Sequence, residues 1–421
     1  MNYLENDIFT PDISTDKTPT VYPCVKTEKS KYKVIEAVTE QTPREIAFAN
    51  EINENVIGDF ERETDKMCHV STFCFADNNI FVSYYANGYS NEENPDFQSA
   101  RIAFAPMNDI KNKTVLDVQC VGDVISGHTI KKVYDTILLQ RDDDKDNIYV
   151  LFTALVDDQY YRLYRIFNIK TKALGETLVN RFKVGNAVND FSTSGIKTAL
   201  TYNGIGYKSM RSDIGIMQKL TSRIENGKKY YYTGAYSGDF NCIIKSDDLL
   251  TWEYVAQPVE GNGAFPNDTL WENAVYVTGD KAYYFIRQWE ASIDENGNPI
   301  KGDNRNEQGC LYGILTVYDL EKKEWTKPVL VGDSQSRSDF IMYKNGLYLF
   351  HAPINRNHIG ILKINRTDIE KSEVVLQADM KGSCFYPFVQ YDTEGNIYMS
   401  YTVDRKHIRI SKFTFEKYIP D

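Results

Sequence analysis

The chain has 421 residues, enough for one large β domain or two ordinary ones. It carries 30 Tyr and 21 Phe, which favours strands over helices, and its formal net charge of -11 argues against nucleic acid or an anionic membrane as a partner reached by bulk electrostatics. No run of about 18 apolar residues is present to span a bilayer. The start, MNYLENDIFTPD, has neither the basic nor the apolar segment of a secretory signal, so a cytoplasmic location is expected unless an exporting signal has been removed.

Residues 1–60 are polar and mixed and read as an N-terminal extension. From there one pattern returns six times, a polar turn followed by a strand with an aromatic at its second or third position. The copies are 79–84, 147–152, 229–234, 281–286, 346–351 and 396–401, and their equivalent positions lie 68, 82, 52, 65 and 50 residues apart. An apolar strand precedes each copy, as in VSTFCFAD and RSDFIMYKN. An alternating strand follows each, as in ARIAFAP, FNCIIKS, HIGILKI and HIRISKF. Two copies run on into an Asp-Leu turn and a tryptophan, Asp248-Leu249 with Trp252 and Asp319-Leu320 with Trp325. An aspartate there can bond turn amides while the indole packs beneath.

Four short strands in each repeat of about 50–80 residues, arranged radially, define a propeller. The expected fold is all-β, a six-bladed β-propeller of four-stranded antiparallel blades over residues 61–421. The segment 32–38 would close the ring by adding a strand to the last blade. The long second interval, around 203–220, predicts an insertion, and the hydrophilic 292–309 predicts a surface loop over one face. Seven cysteines, at 24, 68, 74, 120, 242, 310 and 384, show no CxxC spacing and are expected as reduced thiols.

The innermost strands of a propeller line its channel, so polar residues within those apolar strands are the first candidates for chemistry. They are His69 in CHVSTF, Glu272 in LWENAVYV, Arg337 in SRSDFIMY and Tyr386 in CFYPFVQY. The ends of second strands add Asn87, Arg287 with Gln288, His351, Arg356 and Arg405, and Asp96 stands out among loop carboxylates. Gly-rich phosphate loops, HExxH and GxSxG are absent. No metal or cofactor is expected.

The stretch 270–415 resembles the sialidase (neuraminidase) superfamily. Leu270-Trp271-Glu272-Asn273-Ala274-Val275, followed by Tyr284-Phe285-Ile286-Arg287, is similar to the family segment that bears the catalytic Glu and then a substrate-binding Arg. Arg356, thirty residues before Tyr386, matches the next Arg and the nucleophilic Tyr in order and approximate spacing. The turn 246–252 is similar to an Asp-box without the usual glycine, and Asp96 lies in a loop position like that of the acid/base Asp. The likeness covers the C-terminal third well, the first repeat loosely, and the second and third hardly at all.

This resemblance implies a glycoside hydrolase acting on a glycan that carries an acidic sugar, sialic-acid-like or uronic. Tyr386 would be the nucleophile, Glu272 would take its proton, and Asp96 would protonate the leaving oxygen. Arg287 and Arg356 would hold the acidic group, with Arg337, Gln288 and Asn87 as further substrate contacts. Two departures stand in the first repeat. His69 falls where the family has a carboxylate-clamp arginine, exchanging a fixed bidentate cation for a titratable ring, and Asn87-Gly88 replaces a second arginine. The same set suits a uronate lyase with His69 as base. A non-catalytic glycan-binding propeller is the third reading.

Overall fold

The computed structural model describes residues 9, 13–23, 29–38, 40–211, 213–258, 270–288, 312–332 and 336–419. Each polar turn of the repeat is a hairpin tip. Asp77 and Asn78 both take left-handed φ, 47° and 56°, as a two-residue type I′ turn requires and short polar side chains tolerate. They join Met67–Ala76 to Asn79–Asn87. Asn226 and Gly227, at 49° and 79°, make the same kind of tip between Thr221–Glu225 and Lys228–Ser237.

Six sheets of four or more strands follow one another along the described chain. From the inner strand outward, the first runs Met67–Ala76, Asn79–Asn87, Ser99–Pro106 and Thr114–Cys120. The inner pairs of the next three are His128–Leu139 with Asn147–Val156, Ile214–Ile216 with Lys228–Ser237, and Leu270–Thr278 with Lys281–Gln288. Asp339–Tyr343 with Gly346–His351 opens the fifth, and Phe385–Tyr391 with Ile397–Val403 the sixth. Together they form a β-propeller.

Apolar cores lie between neighbouring sheets. Leu151 and Tyr164 meet Ile244 and Trp252 between the second and third. Phe73 and Val82 of the first meet Phe388 and Ile408 of the last. Helix Pro43–Glu54 lays Phe48, Ala49 and Ile52 on the core shared by the fifth and sixth. In the Asp-box turn, Asp248 Oδ1 accepts from Leu250 N at 2.7 Å and Thr251 N at 2.9 Å. Leu249 takes the left-handed φ of 65° that a glycine would hold more cheaply. Trp252 is fully buried below, a burial that contributes about 2–3 kcal/mol.

Three expectations need correction. The segment 32–38 does not join the last sheet: Val34–Ile35 pairs in parallel with Val329–Val331 of the fourth, where Ile35 enters the core beside Val329 and Val331. The strand on the last sheet is Val56–Asp59, antiparallel to His407–Phe413. Nor are all sheets four-stranded and antiparallel. The third gains Arg181–Val184, parallel to Thr251–Ala256, and Ala187–Asp190 beyond it. With helix Thr193–Tyr202, whose Ser192 cap accepts from Gly195 N at 2.9 Å, these strands show that the insertion starts upstream of 203. The expected 292–309 loop and Cys24 and Cys310 lie outside the described residues; the other five cysteines are free thiols. Among the described residues no helix is long and apolar enough to cross a membrane.

Candidate active site

Four inner strands share one irregularity. In each, two residues oppose a single residue of the neighbouring strand. They are Val70-Ser71 against Tyr84, Asp135-Thr136 against Phe152, Trp271-Glu272 against Arg287, and Tyr386-Pro387 against Tyr401. Such a bulge breaks the alternation of side chains and re-aims one of them. Val70, Asp135 and Tyr386 sit in it with φ of 55°, 49° and 56°, a strained conformation costing on the order of 1–3 kcal/mol for such residues. Ser336 Oγ helps to fix the last, accepting from Tyr386 N at 2.8 Å. Three of the bulges lie near the start of their inner strand and that of His128–Leu139 lies past its middle, yet side-chain bonds bring Asp135, Glu272 and Tyr386 into one cluster at the channel.

Glu272 is the hub of that gathering. Its Oε2 accepts from Arg287 Nη1 at 2.8 Å and its Oε1 from Arg337 Nη2 at 2.9 Å. Arg337 Nη2 also donates to Asp135 Oδ1 at 2.6 Å. Asp135 in turn accepts from Arg162 Nη1 at 3.2 Å through Oδ2 and at 2.6 Å through its carbonyl. Arg287 Nη1 reaches the Tyr386 hydroxyl at 3.4 Å. Two further guanidiniums flank the Tyr386 ring, Arg337 at 5.2 Å and Arg356 at 5.9 Å from its centre. The two carboxylates and Arg162, Arg287 and Arg337 are buried, while Tyr386 keeps part of its surface open. Charges taken from water in this way are tolerable only because each is paired.

The electrostatics follow from that packing. Burial raises the Tyr386 phenol to about 12, helped by Glu272 and opposed by Arg287, Arg356 and Arg337. Burial also works upward on Glu272, but Arg337, Arg287 and the Tyr386 hydroxyl outweigh it and hold the carboxyl below its ordinary range. For His69 burial comes first, and Arg405, Arg356, Arg337 and Arg287 add to it, driving the imidazole well below its usual value. A neutral ring therefore stands where a clamp arginine was expected from the resemblance. It packs edge-on at 4.6 Å from Tyr386, with Nδ1 3.1 Å from Thr402 Oγ1.

The structure thus brings together Tyr386, Glu272, Arg287, Arg337, Arg356 and His69. Gln288 is buried beside them at the end of its strand, paired with Leu270. Two residues are placed otherwise. Asn87 spends its side chain on its own loop, accepting from Tyr89 N and Ser90 N and donating to Glu92 O. Asp96 pairs with Lys132 at 3.1 Å and leaves 54% of its side chain exposed. Arg405 pairs with Glu93 at 3.1 Å. His351 is buried against Phe285. Asp135 and Arg162 are the residues missed. The sequence held a signal for the first, an aspartate in the apolar run VYDTILL of an innermost strand.

No protein-family model and no curated protein matches the chain. Solved structures match in fold. The Hadza microbial sialidase Hz136 is 10% identical with a TM-score of 0.57, over 85% of this chain and 67% of that one. A leech intramolecular trans-sialidase, solved with 2,7-anhydro-Neu5Ac, is 11% identical with a TM-score of 0.50, over 86% and 70%. The GH93 α-L-arabinofuranosidase of Fusarium graminearum, solved with arabinobiose, is 8% identical with a TM-score of 0.50, over 86% and 98%. The chain therefore has a sialidase-like β-propeller fold.

Proposed function

We propose that the protein is a retaining glycoside hydrolase whose substrate is a glycan bearing an acidic sugar. The observation that carries this reading is the cluster of Tyr386, Glu272, Arg287 and Arg337, drawn from three sheets to one end of the channel. The sialidase, the trans-sialidase and the α-L-arabinofuranosidase of similar fold support it as analogues in shape. The same reading counts the six sheets as six blades of one closed ring, supported by their order and by the core that the last shares with the first.

In this reading Tyr386 attacks the anomeric carbon. With its phenol raised to about 12, prior ionisation at neutral pH is disfavoured, so the proton leaves for Glu272 as the new bond forms. Arg287 is placed to stabilise both oxygens that exchange it. The preference for an acid comes from charge. Arg162, Arg287, Arg337 and Arg356 outnumber the buried carboxylates Glu272 and Asp135, and Arg337 Nε and Nη1 are buried without a hydrogen-bond partner among the described residues. Donors left in that state favour an arriving carboxylate.

Incubation with a panel of sialosides and uronic-acid oligosaccharides tests the proposal. Release of free sugar without the absorbance of an unsaturated product is the expected result; that absorbance would identify a lyase instead. Tyr386→Phe should lower kcat on the order of 10³-fold or more while substrate binding stays within a few fold. Turnover at the unmodified rate in that variant would remove Tyr386 from the mechanism.

A further inference from the structure

A third carboxyl lies at the same end of the channel, on the sheet that supplies none of the residues above. Asp213 directly precedes Ile214–Ile216, the short inner strand of the third sheet. That strand presses close to the site: a Cβ on Gly215 would stand 2.8 Å from Asp135 Oδ2 and 2.4 Å from Tyr236 Cε1. Only a glycine admits this approach. Asp213 is two positions earlier, the spacing that returns a side chain to the same face. It acts electrostatically on Tyr134 of the second sheet and Tyr236 of the third. Its own charged neighbours are Arg211, Glu272 and Asp135.

The surroundings hold the backbone of this segment and set aromatic rings near its carboxyl. Gly238 N donates to the Asp213 carbonyl at 3.1 Å, and Asp239 N to Ser209 O at 3.1 Å, tying the segment to the neighbouring hairpin tip. Arg211 bonds Asp239 at 3.3 Å and lies 4.8 Å over the ring of Trp271, the residue before Glu272. The Tyr134 hydroxyl stands beside the Asp213 carboxyl, and its ring lies edge to face with that of Tyr160 at 5.7 Å. Aromatic rings beside a polar group suit a sugar ring.

Glu272 and Asp213 are in unlike states. Arg287 and Arg337 hold Glu272 ionised, and Arg337 and Arg162 pair with Asp135. Burial pushes the Asp213 carboxyl above its ordinary range, and the charges of Glu272 and Asp135 push the same way, against Arg211 and the Tyr134 hydroxyl. Carboxyls driven apart in this manner divide the work of acid and base. Asp96, by contrast, is turned outward to Lys132.

We infer that Asp213, rather than Asp96, is the proton donor to the leaving oxygen, acting from the third sheet. This rests on the glycosidase reading given above. In the first step a bond forms between Tyr386 Oη and the anomeric carbon while the bond from that carbon to the leaving oxygen breaks. The Tyr386 proton passes to Glu272 and the Asp213 proton to the leaving oxygen. In the second step water attacks the anomeric carbon and gives its proton to the Asp213 carboxylate, and Tyr386 departs with the proton held by Glu272.

The test compares Asp213→Asn and Asp96→Asn in the full chain on methyl and 4-nitrophenyl glycosides of N-acetylneuraminic and glucuronic acids. A nitrophenolate leaves without a proton, so loss of the acid should show mainly on the methyl glycosides. For Asp213→Asn we expect kcat/KM to fall about 10²–10³-fold on those and about tenfold or less on the nitrophenyl substrates, with the alkaline limb of the pH profile lost. Asp96→Asn should stay within about threefold on both. Equal losses on both substrates in Asp213→Asn, no loss there, or the leaving-group pattern in Asp96→Asn would each overturn the assignment. Asp213→Ser replaces Asp213→Asn if the amide does not fold. Failure of the unmodified chain to cleave any of these glycosides would instead overturn the parent reading, and this one with it.

Discussion

On the side of the fourth, fifth and sixth sheets, Glu272, Arg287, Arg337 and Tyr386 are held by one another. Each is within 3.4 Å of a charged or hydroxyl partner or under a guanidinium. On the first-sheet side the corresponding polar residues bring no charge into that cluster. His69 is neutral and packed among aromatic rings, Asn87 shapes its own loop, and Asp96 faces Lys132 at the surface. Both halves present polar residues on or beside an innermost strand. The difference is burial: Glu272, Arg287 and Arg337 meet their partners out of water, whereas Asp96 meets Lys132 at the surface. A polar residue in an apolar strand marks a place on the channel, and its chemistry is set by what faces it.

Substitution should separate these halves. Glu272→Gln keeps the shape but removes both the proton acceptor and the partner of two arginines. It is expected to lower kcat by about 10²–10⁴-fold, measured by steady-state kinetics; a fall below tenfold would put the base elsewhere. Asp135→Ala should act first on stability. It strands Arg337 and Arg162 among buried groups, which costs about 3–5 kcal/mol, read from denaturant midpoints. A loss under 1 kcal/mol would mean that water replaces the carboxylate freely.

His69→Gln should have the smallest effect, visible as a change in pH dependence. In the folded chain burial holds His69 neutral well below its usual pKa, whereas the unfolded chain takes up a proton below about pH 6.5. The unfolded state then binds more protons, and His69 removes up to about 1.4 kcal/mol of stability for each pH unit of acidification below that value. No such penalty applies above it. Glutamine does not titrate, so the variant should lose stability less steeply between pH 6.5 and 5. An unchanged slope would show that the imidazole is protonated in the native site.

Much of this was legible in the sequence. The recurring aromatic strand and its polar turn are local features, set by two-residue alternation and by side chains that accept a left-handed φ, as at Asp77-Asn78. Glu272, Arg337 and Tyr386 stood out for the same local reason. Asn87 and Asp96 are candidates by position alone, and position does not reveal the loop amides or the Lys132 ammonium that engage them.

The sequence by itself determined the repeat, the strands and the polar exceptions on the inner strands, because each depends on neighbours within a few residues. Tertiary structure alone decided which sheet edges the strands near 34 and 56 would occupy. It also decided that Asp135 and Asp213 belong with Glu272. Arg337 and Asp135 are 202 residues apart in the chain, and only the bulged inner strands, meeting across the channel, bring charges that distant within reach of one another.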